Sequence, residues 1–94
     1  MREPDVVVIG AGPAGVVAAI SLLRAGRRVA IVERKTFPRD KVCGECLSST
    51  GIDTLREVDA AGPIEALGPV RLRRTTTWTV DGASTSVELP REMW

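Results

Sequence analysis

The chain of 94 residues contains no histidine and no tyrosine, and its only aromatic residues are Phe37, Trp78 and Trp94. Without histidine there is no Ser-His-Asp triad, no imidazole general base and no His-ligated metal. Cys43 and Cys46 are the only cysteines, too few for a disulfide scaffold. No apolar run approaches the ~20 residues of a membrane span, and the N-terminus lacks the longer apolar stretch and small-residue cleavage site of a signal peptide. Lys and Arg number 13 against 12 Asp and Glu, a net charge of +1, which gives no electrostatic case for nucleic acid or an anionic membrane as main partner. These features predict a cytoplasmic, reduced protein. The hydrophobic share of 44% suffices for a core. The length allows one domain at most.

Residues 5–9, Asp-Val-Val-Val-Ile, form a β-branched run that predicts a strand buried on both faces of a parallel sheet. Residues 14–25 then carry apolar side chains at helical spacing, with Val16, Ile20 and Leu23 as the stripe and Val17, Ala19 and Leu22 widening it. Pro13 suits the first turn of this helix and Gly26 its exit. Val29 to Val32 is a second apolar strand ending at Glu33. Strand, helix and strand over about 30 residues predict a right-handed βαβ unit. Residues 34–47 read as an irregular basic loop. A second helix is expected from Ser49 or Thr50, with Thr50 and Asp53 as a capping-box-like start, Ile52, Leu55 and Val58 as its stripe, and Ala60 to Pro63 as its end. From Val70 to Val80 apolar residues alternate with polar ones. Asp81-Gly82 then signals a hairpin whose return strand alternates through Leu89. The fold class is therefore α/β: a Rossmann-like N-terminal part with a βαβ unit, a second helix and an antiparallel hairpin.

Gly10, Gly12 and Gly15 fit G-x-G-x-x-G between a strand and a helix, and an acid closes the next strand about twenty residues on. Gly10 permits the tight turn, Gly12 leaves the backbone open to a pyrophosphate, and Gly15 lets the helix lie close to the sheet. The first helical N–H groups and the helix dipole favour anionic oxygens there. Glu33 can accept hydrogen bonds from ribose hydroxyls. Spacing alone leaves the dinucleotide open. Arg34-Lys35 could face a 2′-phosphate, whereas an acid at the ribose position opposes one.

The stretch Val6 to Gly15, with Val29-Ala30-Ile31-Val32-Glu33-Arg34, resembles the FAD-binding fold of glutathione-reductase-like and p-hydroxybenzoate-hydroxylase-like flavoproteins. Phe37-Pro38-Arg39-Asp40-Lys41-Val42-Cys43-Gly44 looks like the F-P-R-x-K-x-C-G loop of the geranylgeranyl-reductase-like branch and of related monooxygenases and halogenases. The resemblance runs from about Asp5 to Val58. It implies that Gly10, Gly12, Pro13, Ala14 and Gly15 hold the FAD pyrophosphate, that Glu33 binds the adenosine ribose and that Arg34 lies near the adenine. It places Arg39, Cys43 and Gly44 in a loop passing the cofactor, with Lys41 as a weaker candidate. It further implies an enzyme using NAD(P)H for the monooxygenation of a small organic substrate or the reduction of a prenyl C=C bond.

Such enzymes run to several hundred residues and carry a second cofactor motif, a strand ending in Gly-Asp, far downstream. The expectation is an N-terminal fragment lacking a C-terminal portion, inactive alone, with residues 1–68 in the FAD/NAD(P)-binding domain and 69–94 leading toward a substrate domain. No catalytic or metal-binding residue is expected within it. The alternatives are a stand-alone dinucleotide-binding module or a small thiol protein built on Cys43-Gly-Glu-Cys46. Zinc would need two further ligands that the sequence does not provide. Arg71, Arg73 and Arg74 read as the solvated face of a strand.

Overall fold

The computed structural model describes residues 2–94 and divides into two compact units, the first ending at Val42 and the second running Cys43–Trp94. In the first, β1 (Val6–Ile9) and β2 (Val29–Val32) pair in parallel from Val6↔Val29 to Ile9↔Val32, joined by α1 (Pro13–Arg24). The register is pinned just before the ladder begins. Asp5 N–H donates to the Arg28 carbonyl at 2.9 Å, and the Asp5 carboxylate accepts from Arg28 N–H at 2.9 Å and from its guanidinium at 2.5 Å. An exposed pair of this kind adds little stability. Its effect is to fix the pairing, because a one-residue slip would turn every strand side chain to the other face.

The exit of α1 is a Schellman motif. Gly26 N–H donates to the Leu23 carbonyl and Arg27 N–H to the Leu22 carbonyl, with Gly26 at φ +78°. Alanine tolerates that conformation poorly. Gly26→Ala is expected to lower unfolding stability by about 1 kcal/mol, read as a lower urea midpoint with unchanged slope.

The strand boundaries and the helix agree with the sequence pattern, but the expected burial does not. Ile9 is 88% exposed, and Val7 and Val32 are also open. Within the first unit one helix packs on the two-stranded sheet, and among its described residues no second element packs on the other face of these β-branched runs. The helical stripe is also rotated from the expected one. Ala19 is the buried residue, Val17, Ile20 and Leu22 are half-buried, and Val16 and Leu23 face outward. A small residue is buried because the helix lies close to the strands.

The second unit contains α2 (Ser49–Glu57), α3 (Ala61–Glu65), β3 (Leu72–Trp78) and β4 (Ser84–Met93). The cap of α2 is Ser48, one residue ahead of the expected start. Its Oγ accepts from Gly51 N–H at 3.1 Å, so Thr50 and Asp53 form no capping box. Ser48→Ala is expected to cost about 1 kcal/mol in the same unfolding assay. The segment expected to end α2 instead opens α3, where Pro63 lies in the first turn and its missing N–H breaks no bond. The core is Ile52, Ala61 and Trp94, with Leu47, Leu55 and Ile64 against it. Leu47 and Trp94 exchange backbone hydrogen bonds in both directions. The Arg56 and Arg71 guanidiniums lie 5.8 and 5.9 Å from the centre of the Trp94 ring.

The hairpin forms as expected, but its loop is longer than Asp81-Gly82. Gly82 N–H donates to the Thr79 carbonyl, Thr79 N–H donates to the Ala83 carbonyl, and Gly82 is at φ +90°. This is a three-residue loop with glycine in the left-handed position. The ladder runs from Trp78↔Ser84 to Arg74↔Glu88 and then jumps to Leu72↔Met93. Residues 89–92 thus stand opposite Arg73 alone. Pro90, with no N–H for a ladder, falls in this bulge. Arg91 pairs with Asp53 at 2.6 Å, and Glu92 accepts from Arg71 at 2.9 Å. β3 was expected to be half-buried, yet it is exposed along its whole length. Two arginines of that edge are charge-compensated: Arg71 also pairs with Glu65 at 2.6 Å, and Arg74 with Glu88 at 2.5 Å.

Candidate dinucleotide site

The end of β1 leads directly into the glycine turn. Gly10 N–H donates to the Val32 carbonyl at 2.7 Å, prolonging the ladder by one bond, and Gly10 then turns at φ +101°. Gly12 is the extended N-cap of α1, Pro13 follows in the first turn, and Val16 N–H donates to the Gly12 carbonyl at 2.9 Å. The cap has no side-chain hydrogen bond, and no acid occupies the first turn. The amides of Ala14 and Gly15 lie in that turn, where helix geometry offers them no intrahelical acceptor. Gly15 packs on the turn itself. A Cβ at this position would stand 2.0 Å from the Gly10 carbonyl oxygen and 3.4 Å from Val8 Cγ1.

Glu33 follows β2 and reaches back to the glycine loop. Its Oε2 accepts from Ala11 N–H at 2.9 Å, and its Oε1 accepts from Lys35 N–H at 3.0 Å. The Ala11 and Lys35 N–H groups hold its pKa below the ordinary 4.5, helped by the charges of Arg39 and Arg34 and opposed by desolvation. The site therefore carries a fixed carboxylate. A carboxylate offers about four acceptor positions, so two remain for hydroxyl donors.

Arg39 is the cation nearest this carboxylate, with Nη2 3.7 Å from Glu33 Oε2. Its guanidinium lies 5.4 Å from the centre of the Phe37 ring. Its Nε is buried and has no hydrogen-bond partner. A Cβ on Gly12 would come within 3.9 Å of Arg39 Nη2 and 3.8 Å of Lys41 Cε. Two cationic side chains therefore flank the open face of Gly12 beside the first turn of α1.

The first unit thus brings together Gly10, Gly12, Pro13, Ala14, Gly15, Glu33 and Arg39. Arg34 is exposed next to Glu33. Cys43 and Gly44 belong to the second unit, in exposed coil ahead of α2. Sequence reasoning missed the amides of Ala11 and Lys35, which hold the carboxylate. Backbone groups have no residue-type signature, so no motif could have flagged them. Lys41 was a weaker candidate because a long side chain in an irregular loop has no periodicity to orient it.

A glycine turn, an uncapped helix start, an ordered carboxylate and flanking cations suit an anionic ligand carrying hydroxyl groups. The donor set and the glycine clearances fit the ADP half of FAD. The fold and this site define a dinucleotide-binding βαβ unit. The profile of the FAD dependent oxidoreductase family matches residues 5–61, and the chain belongs to that family.

The menaquinone reductase of Mycolicibacterium smegmatis is 40% identical over 86 residues, covering 92% of this chain and 20% of that protein. The squalene monooxygenase of Rattus norvegicus is 38% identical over 67 residues, covering 71% of this chain and 12% of that protein. Among solved structures, the peptidyl tryptophan dihydroxylase QhpG, essential for tryptophylquinone cofactor biogenesis, superposes with a TM-score of 0.55 at 29% identity. It covers 98% of this chain and 20% of that one. The chain spans between 11% and 20% of the length of the curated relatives it matches. Among the described residues, no helix is long and apolar enough to cross a membrane.

Proposed function

We propose that residues 1–68 are the N-terminal part of an FAD-binding domain and hold the ADP half of the cofactor. Gly10, Gly12, Pro13, Ala14 and Gly15 bind the pyrophosphate. Glu33 accepts from the adenosine ribose, Arg34 lies near the adenine, and Arg39, Cys43 and Gly44 belong to the loop along the cofactor. FAD, when bound, supplies the redox chemistry through its isoalloxazine ring. The chain's own residues bind and orient its other end.

The parent enzyme on this reading is an NAD(P)H-using oxidoreductase of the p-hydroxybenzoate-hydroxylase-like and geranylgeranyl-reductase-like group. It acts in the cytoplasm on a small organic substrate, with residues 69–94 leading to the substrate domain. Reductase and monooxygenase, in the names of the two relatives, are the two reaction types in question.

The observation that carries the proposal is the hydrogen bond from Ala11 N–H to Glu33 Oε2, which links the acid after β2 to the glycine loop. The test is a titration of the chain with FAD, followed by flavin fluorescence. ADP should displace FAD competitively and FMN should not, because this reading assigns the glycine loop and Glu33 to the ADP half. Displacement by FMN alone, or a folded chain that binds no FAD, overturns the proposal.

A further inference from the structure

Phe37 is the only aromatic residue of the first unit, and it stands 60% exposed in the loop after β2. A ring left so open buries little surface of its own and adds little to a core. Its contact is with a charge. The Arg39 guanidinium lies 5.4 Å from the ring centre, within the range at which a cation is attracted to an aromatic face. Pro38 stands between the two residues and restricts φ there, which narrows the ways in which ring and guanidinium can be placed.

Arg39 needs such a support. Its side chain is only 17% exposed, and a covered arginine is normally held by hydrogen bonds. Here Nε is buried and makes none. Nη2 stands 3.7 Å from Glu33 Oε2, an ion pair beyond hydrogen-bond reach. The Glu33 carboxylate is already oriented by the Ala11 and Lys35 amides, so it does not turn to follow the arginine. Charge attraction sets a distance and little orientation. The ring face is what fixes the plane of the guanidinium. In that orientation Nη2 is 3.9 Å from where a Cβ on Gly12 would stand, at the open face of the glycine turn.

We propose that Phe37 is a positioning residue whose ring holds the Arg39 guanidinium against the open face of Gly12, ready for the cofactor's diphosphate; this rests on the assignment of the glycine loop to the pyrophosphate. An arginine held before the ligand arrives loses less freedom on binding than one free in solvent. Phe37 thus acts through Arg39.

The test has a ligand-free arm and a binding arm. In the ligand-free chain the Arg39 Nε–H resonance, assigned by its loss in Arg39→Lys, should be displaced by the ring current and exchange slowly with solvent. Phe37→Tyr should keep both properties. Phe37→Leu should lose the displacement and exchange faster, with the urea midpoint unchanged. In FAD titrations Phe37→Leu should weaken binding about fivefold, and Phe37→Tyr should restore the parent affinity. Phe37→Leu should have no further effect in an Arg39→Ala background. An undisplaced Arg39 resonance in the parent, parent affinity in Phe37→Leu, or an equal loss in the Arg39→Ala background overturns the inference and leaves the cofactor reading intact. A folded parent that binds no FAD overturns both.

Discussion

Gly15→Ala is expected to abolish FAD binding and to destabilise the first unit together. The added Cβ would lie 2.0 Å from the Gly10 carbonyl oxygen and 3.2 Å from its carbon. Both are backbone atoms of the turn, so no rotamer change relieves the overlap. Relief means moving α1 away from β1 by about an ångström and opening the turn, and overpacking of this kind costs roughly 3 kcal/mol or more. Gly12→Ala provides the contrast. Its Cβ would meet Lys41 and Arg39 only at 3.8 and 3.9 Å, an ordinary contact distance. Stability should stay within about 0.5 kcal/mol of the parent, while FAD affinity falls because the methyl group occupies the phosphate approach. Urea unfolding and FAD titration of both variants check this. Equal stability of parent and Gly15→Ala would disprove the packing argument, and full affinity in Gly12→Ala would disprove the placement of the pyrophosphate.

Glu33→Ala is expected to weaken FAD binding on the order of a hundredfold, a drop that corresponds to two charge-assisted hydrogen bonds. The substitution leaves the Ala11 and Lys35 amides without their acceptor and removes the partner of Arg39, and on the proposed reading it also deletes the acceptor for the ribose. Glu33→Gln should lie between, because an amide accepts at one end only. The parent should also lose affinity in acid, and the direction follows from the lowered pKa. Fold and site favour the ionised carboxylate, so its contribution is complete above the unfolded value near 4.5 and disappears as pH falls through the lower folded value. FAD affinity measured down to the limit of chain stability should be flat above about pH 5 and decline below the usual carboxylate range. A midpoint above pH 5 would mean that another group controls binding.

The βαβ unit was legible because three independent signals coincide there: unbroken β-branched runs, a glycine turn, and Pro13 and Gly26 at opposite ends of one helix. Glu33 was legible by its distance from the loop. Its engagement by two backbone amides was not, because amides carry no residue type. The burial of β1 and β2 was read from composition, yet composition records what a strand is suited to pack against rather than what lies on it. The α2 cap was misplaced because Ser48, Ser49 and Thr50 are all competent caps, and only the bond to Gly51 distinguishes them. α3 was hidden by Gly62-Pro63, a dipeptide that ends helices more often than it begins them. The β4 bulge has a visible marker in Pro90, but its size depends on Arg91 and Glu92 finding partners far along the chain.

The jump from Arg74↔Glu88 to Leu72↔Met93 divides the hairpin into two zones of different local stability. The outer rungs, from Thr75↔Val87 to Trp78↔Ser84, are exposed on both faces and can open without disturbing any buried side chain. Leu72↔Met93 adjoins the Trp94 core and its bonds to Leu47, so opening it exposes the tryptophan. Amide deuteration should therefore be fast along the hairpin tip. It should be slow at Trp94, where exchange would require the whole second unit to unfold.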